Sequence, residues 1–206
     1  MAIHPVEVKN TFLSHFILWA LFLPLLTIIS VPLFSPDQGV QSEEVEMLRS
    51  FGVNLDKVNA SANDTFTSVF IATGVMQSTE GLVNTKFPSS AATRYAVKWL
   101  RGVYLMIYKS IWRLYALTSM FFIPVLALCI PSAVDGFMIR ARKSYKFETS
   151  NPVFFYSSMH VFSLVFGLFF FLPIAPVTLS ANILAVMLCS LAIAVWVASS
   201  NFQSGN

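Results

Sequence analysis

The sequence predicts an all-α integral membrane protein of four transmembrane helices, with a small extracytoplasmic helical cap and a long kinked second helix. Two observations carry that prediction. Of 206 residues, 56% are hydrophobic and only 11% charged, with a mean hydropathy of +0.69, whereas a water-soluble domain usually carries about 25% charged residues. The apolar residues also fall into runs near the roughly 20 residues that a helix needs to cross a bilayer. Four crossings would use about 80 residues, which leaves too little chain for a separate soluble enzyme core.

Residues 1–11 read as a short cytoplasmic N-terminus. The first crossing is 12–34, which contains no Asp, Glu, Lys or Arg. A signal peptide is the rival reading, but an h-region runs only about 7–15 residues and needs a small-residue cleavage site. The run ends instead on Val31-Pro32-Leu33-Phe34, so it reads as an uncleaved anchor. Residues 35–93 form the one sizeable polar stretch and the predicted periplasmic cap. Ser35-Pro36-Asp37-Gln38 fits a helix-capping box. Glu43, Glu44 and Glu46 precede or interleave with Val45, Met47, Leu48 and Phe51 in a short amphipathic pattern, and Ser61 or Asn63 is placed to cap a second helix through Phe66, Val69, Phe70 and Val75.

One long helix is expected over 94–142, with its hydrocarbon portion near 114–139 and bends at Pro124 and Pro131, since proline removes a backbone bond and tends to kink the axis. Its outer half carries Arg94, Lys98, Arg101, Lys109 and Arg113 at helical spacing, a basic stripe read as lying along the membrane interface with stems buried and heads in water. A basic cytoplasmic loop over 140–152 follows, with Arg140, Arg142, Lys143 and Lys146. Crossings three and four, 153–173 and 179–199, are joined by so tight a link that they must be antiparallel neighbours. Residues 200–206 are the cytoplasmic tail.

Charge sets orientation. Residues 35–93 hold seven acids and three bases, while 94–146 hold nine bases and one acid. The cluster at 140–146 and Lys9 place that loop and the N-terminus in the cytoplasm by the positive-inside rule, and four crossings return the C-terminus there.

Groups able to do chemistry are few. His15 sits near the end of the first run and His160 within the third, the latter read chiefly as a neutral imidazole bonded to a neighbouring helix. Asp135 lies at the inner end of the second crossing, where the bases that follow would stabilise its carboxylate, and Gly136 permits close approach of another helix. Cys129 and Cys189 lie inside apolar runs without metal-ligand spacing. With no nucleophile elbow, phosphate-binding glycine loop or carboxylate dyad, the chain is expected to be non-enzymatic, without catalytic residues, cofactor or metal. Four bases without interleaved aromatic platforms argue against direct nucleic-acid binding, so the expected partners are membrane lipid and other membrane proteins.

The run Arg113-Leu114-Tyr115-Ala116-Leu117, then Pro124, then Ala133-Val134-Asp135-Gly136-Phe137-Met138-Ile139-Arg140, a basic turn, and Tyr156 with His160 resembles a family of membrane proteins from integrative conjugative elements and plasmids. Its members are often encoded beside the conjugative coupling protein, and one TraJ-like plasmid representative looks like a membrane partner of that ATPase. The likeness is best over 94–165; the family's Gly-Arg-Glu-Ser segment corresponds here to Lys146-Phe147-Glu148-Thr149-Ser150. The resemblance implies a non-enzymatic subunit of the bacterial inner membrane that acts in conjugative DNA transfer, docking and oligomerising with the coupling ATPase of a type IV secretion channel. Asp135, Gly136 and Arg140, with Arg142, Lys143, Lys146 and His160, are then the partner-binding or structural residues. The alternative is a surface-exclusion or immunity-like protein that recognises a partner through residues 35–93.

Overall fold

A computed structural model describes residues 16–35, 39–86, 91–148 and 151–202. The predicted capping box at 35–38, the N-terminal segment with His15, and residues 149–150 fall wholly or largely outside those residues.

Every regular element among the described residues is helical. A π-helical turn, Leu18–Phe22, leads into α1 (Leu23–Phe34). The cap contributes α2 (Ser42–Ser50), α3 (Leu55–Phe66) continued by a π-helical turn (Thr67–Ile71), and α4 (Val75–Lys86). Then come α5 (Ala91–Tyr145), α6 (Pro152–Phe171) and α7 (Ala181–Ser200). Three of these, α5, α6 and α7, are long and apolar enough to cross a membrane, while the apolar helix over Ala20–Phe34 is shorter.

The cap begins its second helix earlier than the sequence predicts. Asn54, not Ser61 or Asn63, is the N-cap of α3, its Oδ1 accepting from the Lys57 N–H at 3.0 Å. The apolar spacing Leu55, Val58, Ala62, Phe66 gives the reason: it holds one face of a helix for three turns, and Val58 and Ala62 are buried on it.

The bundle core lies where α5 meets the α6–α7 hairpin. Leu117 and Phe121 from α5 pack with Val165 and Leu172 from the α6 side and Leu184, Met187 and Leu191 from α7, and Phe121 meets Phe169 edge-on at 4.7 Å. A second core joins cap to rod, with Leu48, Val58 and Ala62 against Trp112 and Ala116.

α5 passes unbroken through both Pro124 and Pro131, and its 55 residues make a rod about 80 Å long. It also runs beyond the predicted start of the inner loop. Arg140, Arg142 and Lys143 belong to its last turns, where cations favour the helix dipole, and only Lys146 lies in the connecting turn.

The first apolar run sits further out than the hairpin. Trp99 Nε1 donates to the Ile29 carbonyl at 3.0 Å and Tyr95 Oη to the Leu33 carbonyl at 3.1 Å. Arg113, by contrast, contacts the α6–α7 loop, so Ile29 lies some 14 residues of α5 from that level, about 21 Å. Phe16, at the start of the described run, packs on Phe166 and Phe170 near the end of α6.

Candidate functional site

Two places on α5 bring predicted site residues together, one where the cap docks and one near its inner end.

At the outer place, one face of α5 is an aromatic ladder with polar tips, and a face of the cap answers it rung by rung. Tyr104 Oη shares a 2.7 Å bond with Thr79 Oγ1, Tyr108 Oη donates to Asn63 Oδ1 at 2.8 Å, Trp112 Nε1 donates to Asn59 Oδ1 at 2.7 Å, and Tyr115 Oη meets Thr65 Oγ1 at 2.7 Å. These rungs escaped the sequence reading. The signal was the spacing 104, 108, 112, 115 on α5 set against 59, 63 on α3, each a helical repeat of three or four.

Beside the ladder lies a buried ion pair. Arg113 and Glu44 are both fully excluded from solvent. Arg113 Nε donates to Glu44 Oε2 at 3.0 Å and Nη2 to Glu44 Oε1. The remaining guanidinium donors go to the α6–α7 loop: Nη2 to the Val177 carbonyl at 2.7 Å, and Nη1 to Ala175 at 2.6 Å, with longer contacts to Leu172 and Pro173. The Leu179 N–H completes the shell, donating to Glu44 Oε1 at 3.0 Å. A loop buried against other helices cannot leave its carbonyls unpaired without large cost, and the planar five-donor fork of arginine suits that task. Cap, rod and hairpin thus meet on one side chain.

The predicted basic stripe therefore divides. Arg94, Lys98 and Arg101 are exposed, whereas Lys109 and Arg113 turn their heads inward rather than into water. Glu44 supplies the reason for Arg113. Lys109 has no such answer, since its Nζ is buried with no hydrogen-bond partner.

At the inner end the chemistry differs. Asp135 Oδ2 accepts from Trp196 Nε1 at 2.7 Å, so an α7 indole rather than the downstream bases is its resolved partner. Next to it, Gly136 lies so close to α7 that a Cβ would collide with Ser199 Oγ and stand 2.7 Å from the Trp196 carbonyl oxygen. Arg140 stacks its guanidinium over the Phe202 ring, 5.1 Å from the centroid, a cation–π contact, and Lys143 Nζ reaches Asn201 Oδ1 at 3.4 Å. Arg142 and Lys146 are exposed, and His160 is half-buried on α6. The Val-Asp-Gly segment with the arginine four residues later therefore fastens α5 to the end of α7.

Residues 33–203 match a family model described as IncC plasmid conjugative DNA transfer protein DtrJ-like. The chain belongs to the DtrJ-like family. Membership gives it a role in conjugative DNA transfer, and the matched span takes in both ends of α5, the cap and the hairpin. No curated protein and no solved structure matches the chain. Among the described residues of this DtrJ-like protein, no group of three or more His, Cys, Asp or Glu is placed to hold a metal ion.

Proposed function

We propose that this DtrJ-like chain is a non-enzymatic subunit embedded in the bacterial inner membrane, its C-terminus in the cytoplasm, that partners the coupling ATPase feeding a type IV secretion channel. The observation that carries the reading is a match to a conjugative-transfer family over a chain that holds three membrane-length apolar helices. Such a protein works by presenting surfaces. Its helices satisfy their own backbone groups in lipid, small residues such as Gly136 bring helices together, and bases at the end of α5 steer the approach of an acidic partner.

A tagged chain, solubilised in mild detergent from donor-cell membranes, is expected to bring down the coupling ATPase, and deletion of its gene to lower transfer frequency. Transfer at the wild-type rate without any ATPase in the eluate overturns the proposal.

A further inference from the structure

The turn that ends α5 is built in an unusual way. Phe147 N–H donates to the Ser144 carbonyl at 3.2 Å and Glu148 N–H to the Lys143 carbonyl at 3.0 Å. Those two bonds, spanning three and five residues, make the Schellman pattern, whose left-handed position normally falls to glycine. Here it is Phe147, with φ +54°; the other positive-φ residues among those described are Gly52 and Gly74. An L side chain pays for that conformation in strain that glycine escapes, and strain held at a surface position points from the outlier to a use for the side chain.

Among the described residues the strained ring supports nothing inside the fold. Phe147 is 94% exposed and Tyr145, two residues before it, 88%. Arg142 and Lys146 are exposed beside them and Lys143 is half-buried. Lipid is a poor account of the two rings. The apolar stretch of α5 ends at Ile139, so Tyr145 lies about 9 Å further along the axis, past a headgroup layer of roughly 5–7 Å on each face.

We propose that Tyr145 and Phe147 form an aromatic knob, ringed by Arg142, Lys143 and Lys146, that plugs an apolar socket edged with carboxylates on a protein of the transfer apparatus. Aromatic and arginine side chains dominate interface energetics, and a turn already fixed in place loses little entropy on docking. The bases select an acidic rim by charge complementarity. This rests on the proposed role in the membrane only in drawing the partner from the transfer apparatus.

The test is Phe147→Gly in the full-length chain, paired with a photoreactive benzophenone side chain at position 145 in living donor cells. Glycine relieves the left-handed strain, so the thermal midpoint in detergent is expected to hold or rise, which separates lost docking from lost folding. Illumination is expected to yield an adduct with a transfer protein through an Asp- or Glu-rich peptide. High salt in isolated membranes should weaken it, and Phe147→Gly should reduce capture about 30-fold, the loss of one hot-spot side chain. Adducts with lipid alone, or a Phe147→Gly strain that crosslinks and transfers like wild type, overturn the proposal. An adduct with a transfer protein other than the coupling ATPase would keep the knob, and the ATPase partnership would then stand or fall on the pull-down alone. Lipid adducts alone, with the ATPase still in the eluate of the tagged chain, would sink the knob and keep the partnership.

Discussion

The outer and inner parts of α5 handle charge in opposite ways. Outside, Arg113 and Glu44 are sealed from solvent and every guanidinium donor has an acceptor. Inside, Arg142 and Lys146 face outward, and the tight contact is a glycine against a helix. The difference lies in what each neighbour offers. The α6–α7 loop has backbone carbonyls free of helical pairing, which reward a buried arginine, whereas the last carbonyls of α7 beside Gly136, which a helix end leaves short of partners, already take donors from Ser199, Ser200 and Asn201. A cation is buried where irregular backbone needs donors, and left outside where it does not.

The largest way to break that contrast is Arg113→Met. It strands Glu44 as a buried, uncompensated carboxylate and frees the loop carbonyls, a loss of about 3–5 kcal/mol. Limited proteolysis of residues 39–86 and the unfolding midpoint in detergent are expected to report it, and adding Glu44→Gln should recover part of the loss, measuring the coupling within the pair. At the inner end, Gly136→Ala puts a methyl against the Trp196 carbonyl, which is backbone and cannot rotate away as the Ser199 hydroxyl can. Overpacking of this kind costs about 1–3 kcal/mol, and Ser199→Ala in the same chain is expected to leave most of that penalty in place, read again from the midpoint.

Lys109→Met sharpens the comparison in the other direction. Its ammonium is the exception at the outer end, a buried donor without a partner, so an apolar side chain of similar length is expected to stabilise the cap by about 1 kcal/mol, seen as slower proteolysis at Lys57. A fall in stability would mean that the attraction between the amine and the Glu44 carboxylate outweighs the cost of burying it.

The all-helical class and three membrane-length apolar helices were legible because apolar composition and run length alone dictate them. The clamp was not. Glu44 sits between two other acids, Glu43 and Glu46, and looked like one more residue of a solvated face, while Arg113 looked like the last member of an interfacial row. Only the tertiary approach of a loop some sixty residues downstream gives either one a reason to be buried. The rungs from Tyr104 to Tyr115 were readable in principle, yet aromatic residues at helical spacing are so common in membrane helices that their polar tips drew no notice until Asn59 and Asn63 stood opposite. The strained turn at Phe147 was hidden for another reason: a left-handed backbone is normally announced by glycine, and here the announcement is missing.

The unbroken helix α5 is a common mast. The cap is bolted to it through Arg113, and the hairpin through both Arg113 and Gly136, so a load on the Tyr145 end is shared by α5 and α7 on its way to the cap.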